Sequence, residues 1–299
     1  MNNDFIYDLT EWIESQLASK LSLDMVAAKS GYSKWYLQRV YHELTGVTLS
    51  RYIRQRKLSS SAVELQLTGA QIFDIALKYG FTTQQAFTRS FKSYFHQTPA
   101  KYRNNNEWDC SQLYPPYQRI IHPVPEPDII SLPEQIFLGT GHSFPCAFED
   151  LGKFNIDVRV NFFNRYLRDC QVLPSYVYGI SRLEPDIAVN SGIVIKYFTA
   201  IDSHDLCSVN NRVQKIIIPE GNYAQFNYSG TKAGFQQFIM DVNRYHLPRL
   251  DITRRKGNDI ERYFLSEPKK YALHSSFITC SYLVPCLDVL HKSDSGRFM

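Results

Sequence analysis

Two stretches in the first third of the chain repeat one another. Ala27-Ala28-Lys29-Ser30-Gly31-Tyr32-Ser33 resembles Ala76-Leu77-Lys78-Tyr79-Gly80-Phe81-Thr82 at an offset of 49 residues. Tyr41 then matches Phe91, and Tyr52-Ile53-Arg54 lies near Tyr102-Arg103, at an offset of 50. The copies therefore slip by one residue within the second helix or the turn that precedes it. Each copy reads as a helix, a glycine turn and a helix opened by a hydroxyl. A chain repeating that pattern is committed to two small helical units, because the turn sets two short helices at a steep angle.

The flanking periodicity agrees. Phe5, Ile6, Leu9, Trp12, Ile13 and Leu17 recur at helical spacing and form one apolar face. Ser22 is an expected N-cap for a helix that runs through Met25, Val26 and Ala28 to Gly31, and a second helix spans about 33–44. Residues 49–67 contain no Gly or Pro and read as one connecting helix, able to hold the two units at a fixed separation.

Residues 1–103 carry 13 Lys and Arg against 8 Asp and Glu, whereas the remainder carries 20 against 21. Excess positive charge on the helical third suits a polyanionic partner for that part. The 299 residues, 44% hydrophobic and 21% charged, describe a globular chain of about two domains. No apolar run approaches the roughly 18 residues of a membrane span, and no basic segment followed by an apolar one opens the chain. The expected location is the cytoplasm, at the nucleoid, with no membrane partner. Cys110, Cys146, Cys170, Cys207, Cys280 and Cys286 make no CxxC pair and no zinc spacing, so they read as reduced thiols, with redox sensing as the sharper alternative. No metal site and no cofactor is expected.

Beyond residue 103 the texture changes. Asn104-Asn105-Asn106, Pro115-Pro116, Pro123, Pro125 and Pro127 mark 104–127 as a linker. Residues 128–286 read as a mixed domain, with strands expected over 129–138, 176–180, 193–200, 213–218, 223–228, 260–264 and 277–284. Helices are expected over 153–168 and 232–245, and 287–299 as a disordered tail. The fold class is thus multidomain, an all-α N-terminal domain of two helix-turn-helix units followed by an α+β domain.

In a helix-turn-helix the second helix enters the major groove. In the first unit Leu37, Val40, Tyr41 and Leu44 form the packing face, leaving Trp35, Gln38 and Arg39 together on another. Arg pairs with guanine and Gln with adenine through two hydrogen bonds each. In the second unit Phe87 and Phe91 pack inward while Gln84, Gln85, Thr88 and Arg89 point outward. Lys34, Lys57 and Lys92 are expected phosphate contacts, which set register and not sequence. The bland alternative is that these are the solvated faces of a helical bundle.

The runs from Gly31 to Arg39, Tyr52-Ile53-Arg54, Tyr79-Gly80-Phe81, Gln84 to Lys92 and Thr98-Pro99-Ala100-Lys101-Tyr102-Arg103 resemble the AraC/XylS family of transcription regulators, nearest its MarA/SoxS/Rob group. The resemblance covers residues 5–103. It implies a monomer that places both recognition helices on one face of double-stranded promoter DNA, in adjacent major grooves about one turn apart. It assigns base contacts to Trp35, Gln38, Arg39, Gln84, Gln85, Thr88 and Arg89. Tyr36 and Ala86 depart from its pattern, where His and Thr are common, which touches site preference and not DNA binding. In some relatives the second unit rests on the backbone instead of reading bases.

The runs from Pro219 to Phe226 and from Thr253 to Tyr263 are similar to the GyrI-like effector-binding domain, two related strand-and-helix halves with a ligand cleft between them. Read from the residues alone, Glu261 and Tyr263 share a strand face and Ile260 takes the other. Glu261 is then either a cleft carboxylate among aromatics that wants a bound cation, or a surface residue paired with Arg262 or Lys256. The resemblance favours the cleft. Tyr263, Tyr223, Phe226, Tyr228, Tyr197 and Phe198 offer π surfaces for a small amphipathic effector, or are simply core. Arg254-Arg255-Lys256 reads as a solvated turn or a second phosphate contact.

The expected function is a transcription regulator, by the resemblance an activator of stress or multidrug-resistance genes that contacts RNA polymerase and senses a ligand or protein through its second domain. There is no nucleophile elbow, metal cluster or Gly-rich phosphate loop, so no enzyme is expected. The alternatives are a hydrolase with Glu261 as general base beside a tyrosine, and a second domain that only binds proteins.

Overall fold

The computed structural model describes residues 3–19, 21–117, 126–153, 174–205, 213–265 and 277–287. Seven helices come first: α1 (Asn3–Ser15), α2 (Leu23–Ser30), α3 (Lys34–Thr45), α4 (Leu49–Leu67), α5 (Ile72–Lys78), α6 (Gln84–Phe95) and α7 (Pro99–Arg103). Side-chain hydroxyls start most of them. Ser22, Ser33, Thr48, Thr83 and Thr98 each accept a bond from the backbone N–H three residues on, satisfying a donor that the first turn leaves open. Gly31 and Gly46 close α2 and α3 in the left-handed region, at φ 73° and 76°.

The caps locate the one-residue slip. Gly31 and Gly80 both take positive φ at an offset of 49, whereas the N-caps Ser33 and Thr83 stand 50 apart. The extra residue is therefore in the second turn, before α6. Trp35, Gln38 and Arg39 correspond to Gln85, Thr88 and Arg89.

Each unit has its own core. Leu37, Val40, Tyr41, Tyr52 and the α1 residues Ile6, Leu9 and Ile13 fill the first; Leu58, Leu65, Ile75, Phe87, Phe91 and Phe95 fill the second. The long helix α4 supplies residues to both, so neither unit can turn against the other without unpacking it. Buried charge fixes it further. Arg56 Nε and Nη2 donate to the two carboxylate oxygens of Glu14 at 2.9 Å each, and Tyr52 adds its hydroxyl at 2.7 Å. Toward the other end Glu64, 1% exposed, accepts from Lys78 at 2.8 Å and from Tyr79 at 2.9 Å.

The segment expected as a linker is, in its described part, built into the molecule, and this corrects the reading of 104–117 as a spacer. Strand β1 (Glu107–Asp109) pairs with β8 (Thr253–Arg255) of the second domain. Leu113 joins the core of the second unit, while Tyr114 and Tyr117 pack on the first. The backbone of Tyr114 donates to Ser59 Oγ at 2.8 Å, and its carbonyl accepts from Arg56. Trp108, Leu113 and the tyrosines on either side of Pro115-Pro116 bury enough surface to order the segment. Residues 118–125 lie outside the described residues.

The second domain is one antiparallel sheet. Its strands are β2 (Asp128–Leu132), β3 (Gln135–Ala147), β4 (Tyr176–Pro185), β5 (Gly192–Asp202), β6 (Gln214–Ile218), β7 (Gly221–Thr231), β8, β9 (Asp259–Phe264) and β10 (Phe277–Cys286). They run in the order β6-β3-β5-β4-β9-β10-β7-β2, with the β1–β8 pair attached at the end of β10. The expected strand over 129–138 is two strands, broken at Pro133-Glu134. Helix α8 (Lys232–Asp241) continues through a π turn at Val242–His246, and its Phe235 and Val242 pack with Phe226 and Tyr282 on one sheet face. The helix expected over 153–168 and the tail expected from 287 fall almost wholly outside the described residues.

The sheet is two copies of one plan. Residues 135 and 221 follow Pro133-Glu134 and Pro219-Glu220, a separation of 221 − 135 = 86. Leu132 pairs with Gly221 and Ile218 with Gln135, which are equivalent contacts at the same separation, 218 − 132 = 86. Each half therefore lends its leading strand to the other: β2 leaves β3 to pair with β7, and β6 leaves β7 to pair with β3. The halves meet at β4 and β9, where Gly179 stands opposite Glu261.

Burial pushes the Glu14 carboxyl up, and Arg56, Arg244 and Tyr52 more than reverse this, holding it below the usual carboxylate range. Its stabilisation is thus complete above the unfolded-state pKa of about 4.3 and is lost as pH falls through the lower folded value. Arg56→Met strands a buried carboxylate that keeps Arg244 and Tyr52, so it should cost about 3 kcal/mol in urea unfolding, the low end for breaking a buried pair. Unfolding of Glu14→Gln followed from pH 7 to pH 3 should show a shallower acid loss than the parent.

Candidate functional site

On α3 the side chains divide as the periodicity requires. Leu37 and Tyr41 are buried, while Trp35 is 70% exposed. Arg39 lies over the Trp35 ring, 5.0 Å from its centroid, and reaches Glu43 at only 3.8 Å. Both ends of that stack face solvent, so a large aromatic and a guanidinium are presented together with little to hold them back. Lys34, on the same turn, is paired with Asp24, and both are exposed. On α6 Gln84, Gln85, Arg89 and Lys92 are exposed, with Thr88 half-buried beside them.

Gln38 is placed differently from the expectation. Its amide nitrogen donates to Ser50 Oγ at 2.9 Å and its oxygen accepts from the Ser50 backbone at 3.3 Å. The side chain thereby ties α3 to the first turn of α4, and to read a base it would have to give up both bonds. Lys57 is also corrected. It is 8% exposed and turns inward, donating to the Leu21 carbonyl at 3.2 Å, because its position on α4 faces the gap between the units.

Glu261 is a buried carboxylate. It is 2% exposed, and both the Tyr197 and Tyr263 hydroxyls donate to its Oε2, at 2.6 and 2.7 Å. The surface alternative fails because Arg262 turns to the opposite sheet face, donating to Gln225 at 2.7 Å and lying over the Tyr176 ring. Gly179 makes the arrangement geometrically feasible. A Cβ there would come within 2.0 Å of the Tyr197 hydroxyl and 2.4 Å of Glu261 Oε2. Across the sheet the register runs Phe226, Tyr282, Glu261, Gly179, Thr199, Thr140.

The other expected cleft residues separate. Phe226 shares the Glu261 face but is packed in its core with Phe235. Tyr223 does not join them: it sits on the opposite face with Phe137 and Tyr178, under Arg255 at 4.9 Å. Phe198 belongs to that face too. The basic triplet is likewise neither a free turn nor a phosphate contact at its first two residues. Arg254 is half-buried, donating to Asp259 at 2.5 Å and to Asn243 at 2.6 Å.

The sequence reading missed the ring that this completes. Tyr282 donates to Asp259, and Asn243 Nδ2 donates to the Tyr282 hydroxyl at 3.0 Å. Burial pushes the Asp259 carboxyl up against the opposing pull of Arg254. Asn243 lies in the π turn, and its neighbour Arg244 reaches out of the domain to Glu14 of α1 at 3.0 Å. Lys78 makes a second bridge between the domains, to Glu149 at 2.7 Å. None of the four described cysteines forms a disulfide, and burial pushes the Cys110 thiol up to about 12.

Gly179→Ala should force Tyr197 and Glu261 apart inside a close-packed sheet and cost about 1–3 kcal/mol in urea unfolding. Gly141→Ala is the control. Its added methyl meets the far end of Gln214 at 2.8 Å, which can swing away, and the edge of the Phe198 ring at 3.3 Å, so its cost should stay well below that of Gly179→Ala.

Residues 26–105 match a family described as helix-turn-helix domain, and residues 125–275 match the GyrI-like small molecule binding domain. The chain is 39% identical to transcriptional regulator Rob of Salmonella typhimurium over 280 residues, 94% of this chain and 97% of that protein. It is 38% identical to right origin-binding protein of Escherichia coli K12 over the same shares of each chain. Regulatory protein SoxS of Escherichia coli K12 is 50% identical over 99 residues, 33% of this chain and 92% of SoxS. Two capped helical units with exposed polar recognition faces, followed by a duplicated sheet around one carboxylate, thus accompany similarity along nearly the whole length, and the chain belongs to the AraC/XylS family of transcription regulators, in its MarA/SoxS/Rob group with a GyrI-like domain behind the helix-turn-helix units.

Proposed function

We propose that this regulator binds promoter DNA as a monomer and in a sequence-specific manner, with Trp35 and Arg39 reading one major groove and Gln84, Gln85, Thr88 and Arg89 meeting the next. The carrying observation is the exposed Trp35–Arg39 stack at one end of a rigid α4 and the exposed α6 face at the other. The 19 residues of α4 span about 28 Å at 1.5 Å per residue, close to the roughly 34 Å between successive turns of a groove. Lys34 and Lys92 set register on phosphates. Activation, at stress or multidrug-resistance genes, follows from contact with RNA polymerase.

The second domain is the sensor. A small amphipathic cation displaces the tyrosine hydroxyls from Glu261, since a desolvated carboxylate gains more from a positive charge than from two neutral donors. Tyr282 neighbours Glu261 in the sheet and bonds Asn243, and the next residue, Arg244, holds Glu14. Displacement at Glu261 therefore reaches the contact between the domains through the π turn, a helix irregularity often found at working sites.

Arg39→Ala should cost about 1–3 kcal/mol in DNA binding and relax base preference in a competition gel shift; unchanged discrimination would remove α3 from the reading. For the sensor, decyltrimethylammonium should raise the melting temperature of the full chain by mass action. That rise should vanish in Glu261→Gln and persist in Arg244→Ala. Arg244→Ala should instead lose any effect of the amphiphile on DNA affinity.

A further inference from the structure

Between the two helix-turn-helix units lies a cleft of about 400 Å³ that neither recognition helix fills. Ser50, Arg54 and Lys57 line it along one face of α4, with Leu21 from the first unit and Gly80 and Ser90 from the second. No Asp or Glu is among the described residues that line it. Ser50 also holds Gln38 of α3, and the bond that Arg54 makes among the described residues is a long one, 3.4 Å, to Ser90 of α6. The cleft thus opens between the two recognition helices and is walled by side chains that touch both.

Its charge is uncompensated. Arg54 is exposed at the mouth. Lys57 lines the same cleft, 8% exposed, with the Leu21 carbonyl as its hydrogen-bond acceptor and no carboxylate partner among the described residues. Burial lowers its pKa, as expected of an ammonium held in poor solvent. A cleft lined by two cationic side chains and two serines, with no carboxylate among its described lining residues, suits an oxyanion.

The DNA reading supplies one. When two helices occupy adjacent major grooves on one face of a duplex, the minor groove between them turns toward the protein, and its sugar-phosphate strands cross the middle of α4. We infer that the cleft seats a phosphodiester of the duplex where it passes between the two major grooves. Arg54 makes the contact, Ser50 and Ser90 line the same cleft, and Lys57, held by the Leu21 carbonyl, adds its charge without touching the phosphate. This rests on the DNA-binding reading above and extends it. A central phosphate clamp carries no base information; it selects the distance between the two sites the helices read.

The test uses the full chain with a preferred promoter fragment and with random DNA, and reads Kd from 50 to 200 mM salt. Arg54→Gln should weaken both DNAs by the same factor, about 3–10-fold, and lower the slope of log K against log salt by about 0.9, the value for one phosphate. Arg54→Lys should keep the slope. Lys57→Met should weaken both DNAs similarly while the melting temperature holds; if Lys57→Met does not fold, the exposed Arg54 carries the test alone. A neutral methylphosphonate placed between the two sites should cost wild type that same factor and cost Arg54→Gln nothing more.

An unchanged slope in Arg54→Gln overturns the clamp, as does a methylphosphonate penalty that adds to the mutation. So does stabilisation of the DNA-free protein by inorganic phosphate that requires Arg54 while the slope on DNA stays the same, since the occupant is then a free anion. Failure of wild type to prefer the promoter over random DNA would instead sink the sequence-specific reading, and the slope difference on random DNA would still decide the clamp.

Discussion

The ion pair between Glu14 and Arg56 holds the position from which the rest of the molecule is measured. It locks α1 against α4 inside the first unit, and the Arg56 guanidinium also binds the carbonyl of Tyr114 on the returning chain. Arg244 of the second domain closes on the same carboxylate. One acidic side chain therefore joins the first unit, the long helix and the π turn of the second domain. A hydrophobic substitute could fill the volume, but it could not accept donors from three directions at fixed angles. Glu64 repeats the device with Lys78 and Tyr79 near the other end of α4. A rod held by directional bonds toward both ends keeps α3 and α6 in a fixed relation, which apolar packing alone would do less strictly.

The second domain breaks its own symmetry at one point. Its halves repeat strand for strand, and the relation carries Gly179 onto Glu261, the pair that faces itself across the β4–β9 junction. Two carboxylates at that point would repel, and two glycines would leave a void. Having one of each leaves a single carboxyl group at the junction, with room for the tyrosine hydroxyls that donate to it.

The helical third was legible because every step of it is local. Hydroxyl caps, glycine turns and a 3.6-residue period are written within a few positions of where they act, and even the slip between repeats was visible, its place in the turn awaiting the φ of Gly80 and the cap of Thr83. Long-range matters were less legible. The prolines of 104–117 hid Trp108, Leu113, Tyr114 and Tyr117, which bury and order that segment. Lys57 was read as surface because nothing local reveals the gap beneath α4, and Gln38 because its partner Ser50 lies on another helix. Tyr223 was an avoidable error: it stands an odd number of residues from Phe226 in a strand, so the two must face opposite ways. The paired Pro-Glu motifs at 133–134 and 219–220 announce the duplicated sheet as plainly as the glycine turns announce the helical units.

The exchange of β2 and β6 has a further consequence. Each half of the sheet is completed by a strand that belongs, in sequence, to its twin. A fragment holding only one half would expose a hydrogen-bonding edge and carry a spare ribbon with nothing beside it. The pair is knitted like clasped hands, so the domain must form and melt as a unit, and two such fragments would find order only by meeting each other.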